Sequence, residues 1–222
     1  MLEELETLFQ SSTIRPSFEK VHIILALFIF DENPEGIGRY RLKKELLIGE
    51  GTAKSLINKL NAVKYISVLD QTRRKGHILT STGLEYLKKI MNVIPFMEKG
   101  DSTILKDIII DTENTSTYFC LVKKGIKKIR DGVSQRDAAI KINGSGATCI
   151  VYDGKNLVFP TKSDSESRNT DTVVNDTLND YFKAVFLKKN IKLEDTDVIV
   201  IGSGISPQLA RLATLNAALT LI

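Results

Sequence analysis

Between residues 17 and 94 the apolar side chains change period from helical to alternating and back, and the polar residues between them are those that start and stop helices. Residues 17–31 predict an apolar scaffold helix whose run 21–30 is broken only by His22, with Ser17 as its cap and Asn33-Pro34 as its terminator. Over 41–47, Leu42, Leu46 and Leu47 share one side of a short helix. Ile48-Gly49-Glu50-Gly51 breaks it, with Gly49 or Gly51 supplying the positive φ of a sharp turn and Thr52 capping the next helix. In 52–63, Ala53, Leu56, Ile57, Leu60 and Val63 make an inward stripe, while Lys54, Ser55, Asn58 and Lys59 face outward. Residues 65–69 and 77–79 read as strands, and Thr80 to Gly83 offer caps before a closing helix built on Leu84, Tyr86, Leu87, Ile90 and Ile94. Helix, turn, helix, hairpin, helix over 36–90 is the order of a winged helix-turn-helix. Ahead of it, Leu2, Leu5, Leu8 and Phe9 recur at helical spacing, too much apolar surface for a free tail, and are expected to dock on a partner subunit.

After about residue 99 the pattern turns strand-like, so the chain is divided into 1–98 and 99–222. Residues 104–111 and 118–123 predict a hairpin, and 126–142 a helix weakened by Gly132. Strands at 147–152 and 156–159 flank the turn Asp153-Gly154-Lys155, followed by a helix over 173–188, a strand at 197–201 and a small-residue helix at 207–221. The fold class is therefore α+β: a winged helix followed by a two-layer α/β sandwich, ββαββα with a terminal βα, its sheet covered on one face. It is not a doubly wound dinucleotide fold.

Charge sharpens the picture of the first half. From 36 to 90 there are twelve cations and four acids, giving +8, and since the whole chain carries only +4 the remaining residues sum to −4. A concentrated positive field on one compact module points to a polyanion. Arg39 precedes the first helix and Arg41, Lys43 and Lys44 lie in it, Thr52, Lys54, Ser55, Asn58 and Lys59 belong to the second, and Arg73, Arg74 and Lys75 crowd the hairpin tip. Amide and hydroxyl groups near a helix start can reach base edges, while lysines and arginines reach phosphates or a narrow minor groove. The structural alternative is a solvated face or a protein-docking winged helix.

The second half carries two glycine turns, Gly144-Ser145-Gly146 and Gly202-Ser203-Gly204, the latter before a helix at Ser206-Pro207. Either could offer backbone N–H groups to an anion, and either could be a plain connection. Neither has the lysine of a phosphate-binding P-loop. Cys120 and Cys149 lack metal-ligand spacing and read as buried thiols, while His22 reads as a core residue and His77 as a strand residue, so no metal, cofactor or catalytic constellation is expected. The apolar run 21–30 is too short to span a bilayer and no cleavable signal precedes it, which predicts a cytoplasmic protein.

On Gly51-Thr52-Ala53-Lys54-Ser55-Leu56, and on Gly144-Ser145-Gly146-Ala147-Thr148 leading through Tyr152-Asp153-Gly154 to Phe159-Pro160, the chain resembles a group of archaeal winged-helix proteins with a C-terminal domain of unknown function. The first stretch is generic to winged helices and the second more particular to the group. The resemblance implies a regulator with a small α/β C-terminal fold, and supplies no ligand and no catalytic residue. Three functions compete: a homodimeric regulator of double-stranded DNA whose C-terminal domain senses a small-molecule effector, dimerises, or both; a nucleotide- or phosphometabolite-binding enzyme with an accessory winged helix; and a docking module in a larger assembly.

Overall fold

A computed structural model describes residues 2–10, 16–69, 76–109, 115–160 and 173–222. The chain divides into two compact units, Met1–Asn92 and Val93–Ile222.

The first unit is organised around α1 (Lys20–Asp31), in which every residue from Val21 to Phe30 is buried. A helix apolar on all sides can only be a central one. It starts at Glu19 rather than at the expected Ser17, because the Glu19 N–H donates to His22 Nδ1 at 3.0 Å. His22 is 9% exposed, and burial holds its pKa below the ordinary histidine value. α1 is followed by α2 (Arg39–Glu45), α3 (Glu50–Ala62), β1 (Ile66–Val68), β2 (His77–Leu79) and α4 (Ser81–Met91), of which β2 and α4 pack against it while α3 packs against α2 and β1. β1 and β2 pair antiparallel with Ile66 opposite Leu79 and Val68 opposite His77. The Thr80 hydroxyl caps α4 by accepting from Gly83 N–H at 3.1 Å. Leu5 and Leu8, in the 3-10 segment Leu2–Phe9, are buried within this unit rather than left for a partner subunit. Phe9 packs 5.6 Å from the Phe18 ring, and Glu4 pairs with Lys89 at 2.9 Å.

The turn between α2 and α3 departs from expectation. Helix α3 begins at Glu50 with Gly49 as its N-cap at φ −67°, so neither Gly49 nor Gly51 supplies a positive φ and Thr52 lies inside the first turn. Leu47 supplies it, at φ 54°. The cause is a Schellman closure of α2, in which Ile48 N–H donates to Lys43 O at 3.2 Å and Leu47 N–H to Lys44 O at 3.4 Å. Leaving the helix there turns Leu47 off the inward stripe, and it is 49% exposed while Leu42 and Leu46 are fully buried. α3 closes in the same way on Lys64, with Tyr65 N–H on Leu60 O and Lys64 N–H on Asn61 O, both at 2.9 Å.

The second unit is a five-stranded antiparallel sheet in the order β3-β4-β7-β5-β6. Its strands are β3 (Met97–Lys99), β4 (Ser116–Val122), β5 (Gly146–Tyr152), β6 (Leu157–Val158) and β7 (Val198–Gly204). The segment expected as a strand at 104–111 is instead α5 (Ser102–Leu105) followed by a 3-10 turn, Lys106–Ile108. Asp101 decides this, its carboxylate accepting from Thr103 N–H at 2.9 Å and Ile104 N–H at 3.3 Å as an N-cap. The short β3, which spans the 98/99 cut read from sequence, takes the place beside β4. Residues 126–142 are likewise not one helix: a 3-10 turn Gly125–Lys128 ends, Gly132 adopts φ 78°, and α6 (Val133–Lys141) begins after it.

The sheet is covered on both faces, not one. Phe119, Leu121, Ile150, Ile199 and Ile201 cluster with Leu178, Phe182 and Phe186 of α7 (Asp176–Lys188), the Phe119 and Phe182 rings meeting edge to face at 5.5 Å. The alternate residues of β7, Gly202 and Gly204, face α8 (Pro207–Leu219), so α8 lies on the opposite side, with α6 packed against it and against β5. This makes three layers. Asp197, buried at the start of β7, accepts from Lys123 Nζ at 2.6 Å and from the Lys124 and Glu194 N–H groups at 3.1 Å, tying the end of β4 to it.

β7 is buried along its whole length and fixes how closely α8 can approach. A Cβ on Gly202 would stand 2.5 Å from the backbone nitrogen and hydroxyl of Thr214, and one on Gly204 2.9 Å from Ala210 N. The Thr214 hydroxyl accepts from Gly202 N–H at 3.1 Å and lies 3.0 Å from Tyr118 O and 2.8 Å from Ala210 O. Replacing Gly202 by Ala should push the helix off the sheet and destabilise the protein by about 3 kcal/mol, read as a lower urea midpoint. Leu47→Gly should do the reverse, relieving a left-handed leucine and raising stability by ~0.5–1 kcal/mol in the same titration.

Candidate nucleic-acid interface

The sequence-predicted contacts divide into those free to meet a ligand and those already engaged. On α3, Ala53, Leu56, Ile57 and Leu60 are buried, which turns Lys54 and Asn58 outward with Ser55 half-buried between them. Among the described residues no hydrogen bond or ion pair occupies Lys54, Ser55 or Asn58. Thr52 is different: its hydroxyl lies 2.7 Å from that of Ser17. Lys59 donates from Nζ to the Gln10 carbonyl. Both side chains therefore help join the N-terminal segment to α3. The one acid on α3, Glu50, is held by Arg39 at 3.0 Å, so the pair removes a negative charge from the helix start and uses one predicted cation to do so. At half exposure such a pair contributes little to stability.

On α2, Lys44 and Arg41 are exposed, Arg41 only 4.0 Å from Glu35, and Lys43 is half-buried. Tyr40 was not singled out by sequence. It is 61% exposed, with the Arg39 guanidinium 5.2 Å and the Lys43 ammonium 5.7 Å from its ring centre. Its signal was present as an aromatic residue between two arginines, where no apolar stripe needs it. Arg73, Arg74 and Lys75 lie outside the described residues.

The glycine turns of the second unit are not the anion sites that their sequence suggested. Gly202, Ser203 and Gly204 belong to β7, paired with β4 on one side, and Gly202 and Ser203 also with β5 on the other. Gly144 and Ser145 spend their N–H groups on Ala139 O at 3.0 Å and Ser203 O at 2.9 Å, while Gly146 opens β5. The start of α8 is closed by Ser206, whose hydroxyl accepts from Leu209 N–H at 3.3 Å. Gly146 and Ser203 do meet, with Thr148 and Ile201, in a cleft of about 370 Å³. Cys120 and Cys149 both sit opposite Val200, on one face of the sheet. Burial pushes the Cys149 thiol up to about 12 and the Cys120 thiol up likewise, which makes them poor nucleophiles. Among the described residues, no cluster of three or more His, Cys, Asp or Glu side chains could hold a metal, and no helix is long and apolar enough to cross a membrane.

Residues 114–221 match a family described as a domain of unknown function, DUF4443. Over both units the chain is similar in fold to a hypothetical protein from Pyrococcus horikoshii OT3, with a TM-score of 0.62, 23% identity, and coverage of 92% of this chain and 93% of that one. An IclR family transcriptional regulator from Brucella abortus aligns over 100% of this chain and 97% of its own, at 8% identity and a TM-score of 0.31, too low to carry a functional argument. No curated protein matches the sequence.

Proposed function

We propose that the protein is a DNA-binding transcription regulator of the cytoplasm, acting as a homodimer. The first unit would be its winged helix-turn-helix and the second an effector-sensing or dimerising domain without catalytic activity. The single observation that carries this is the outward face of α3, where Lys54, Ser55 and Asn58 stand clear on the second helix of a helix-turn-helix pair whose following β-hairpin carries Arg73, Arg74 and Lys75 in its connecting segment. Helix-turn-helix proteins enter the major groove with this second helix, its amide side chains reading adenine edges and its cations taking phosphates. The neutralised Glu50 favours the same approach, since an unpaired carboxylate at the start of α3 would repel the duplex.

Gly51 adds independent support. It occupies the first turn of α3, exposed and with nothing within 4 Å of where a Cβ would stand, so the fold gives no reason to omit a side chain there. A surface that must lie close to a sugar-phosphate backbone gives one.

In a fluorescence anisotropy titration against duplex genomic fragments, the protein should bind with an affinity that falls steeply with salt. Lys54→Ala should weaken all sequences alike and reduce the salt slope by about 1, and the combined Arg73, Arg74 and Lys75 alanine variant should reduce it further. Asn58→Ala should cost ~1–3 kcal/mol on the preferred fragment only. Unchanged binding in all three variants refutes the assignment. Gly51→Ala should raise the melting temperature, by ~0.5–1 kcal/mol of stability, and lower DNA affinity at the same time. A variant that is stabilised yet binds DNA as before removes that line of support.

A further inference from the structure

We propose that the cleft of the second unit binds a small zwitterion with an apolar body, namely a free α-amino acid of the leucine or phenylalanine type. Its role as the effector rests on the regulator function proposed above, whereas its binding does not.

The floor of the cleft is the α7 side of the sheet, with Ile201 and Ser203 from β7 and Gly146 and Thr148 from β5. Asp107 to Ile109 and Phe159 after β6 form its wall on that side, while Ala147 of β5 and Arg136 of α6 contribute to the lining from the opposite layer. The Thr148 hydroxyl donates to the Ile108 carbonyl, which fastens the wall to the floor and fixes the width of the opening. At about 370 Å³ the space is near the lower end for ligand sites, which selects a small molecule over a nucleotide.

The lining chemistry narrows the class. Ile108, Ile109, Phe159 and Ile201 form an apolar body site, and Ser203, 1% exposed, places a hydroxyl group at the floor beside them. Among the described residues the charged lining is one carboxylate, Asp107, and one guanidinium, Arg136. A ligand carrying both an ammonium and a carboxylate can satisfy both groups. Arg136 recognises a carboxylate through paired N–H donors, and Asp107 accepts from an ammonium. At present Arg136 directs Nε at 3.1 Å and Nη2 at 2.9 Å to Asp137 Oδ1, an exposed contact between sequence neighbours that is weak enough to be exchanged. Among the described residues a phosphate would find a single arginine here, with the Gly144 and Ser145 N–H groups already spent inside the fold.

Isothermal titration of the full chain, without DNA, with L-leucine and L-phenylalanine tests the site. At least one should bind, while 4-methylpentanoate, which lacks the ammonium, and 3-methylbutylamine, which lacks the carboxylate, should each bind about tenfold more weakly or worse. Arg136→Ala and Asp107→Asn should each weaken the amino acid by about tenfold or more. Both residues are exposed, so both variants should keep the parent melting temperature in the absence of amino acid. No heat with either amino acid at about 10 mM, equal binding of the singly charged analogues, unchanged affinity in both variants, or binding of AMP in place of the amino acids overturns the site. Anisotropy on duplex DNA, with and without the amino acid, is read separately. A changed DNA affinity is expected of an effector and an unchanged one overturns that role, while DNA binding in the amino-acid-free protein stands or falls by itself.

Discussion

The second unit depends on how deeply α8 seats against β7. Two facing glycines, Gly202 and Gly204, let backbone meet backbone, and the Thr214 hydroxyl fills the remaining polar need between them. Close approach brings the rest of α8, Leu209, Ala210, Leu212, Ala213 and Leu215, into full contact with the sheet and with α6. Because β7 is central and covered on both sides, its seven residues are all buried, and the strands on either side take their register from it. The opposite face is an ordinary aromatic and aliphatic core around Phe119 and Phe182. The two sides of one strand therefore carry different packing rules: small residues toward α8, large ones toward α7.

That asymmetry marks where sequence was informative. Long periodic segments were legible: α1, α3, α4, α7 and α8, and the strands β1, β2, β4 and β5, all lie within the segments their patterns indicated, give or take the ends. Local polar chemistry overrode pattern elsewhere. Asp101 turned an apolar run into a capped helix, Gly132 divided a helical pattern, and a three-residue strand at Met97–Lys99 was too short for its alternation to register. Glycine in Gly202-Ser203-Gly204 carried two meanings, turn or close contact, and only the location of Thr214 twelve positions later separates them. The number of covered faces was equally hidden, because β7 reads as uniformly apolar whether one helix layer or two lie against it.

At the candidate DNA surface the outward pattern of α3 was legible, but not which polar groups remain available. Thr52, Lys59 and Arg39 each have an internal partner that lies far along the chain or just past a turn, in Ser17, Gln10 and Glu50. What remains on α3 is a compact set, Lys54, Ser55 and Asn58, while α2 exposes Tyr40 with its two neighbouring cations. The internal contacts link the N-terminal segment to the same helix that displays those three residues. Lys59 and Arg39, which a charge count alone would have scored as ligands, are thus engaged within the fold.

The outer strands of the sheet are brief, three residues in β3 and two in β6, and Val158 of β6 is already bridged by Val173. Among the described residues, two copies paired through β3 or through β6 could form only a few rungs of a continuous ladder. Strand addition at β3 or β6 is therefore disfavoured, whereas on α6 Val133 and Ile140 turn outward, one above the other two turns apart.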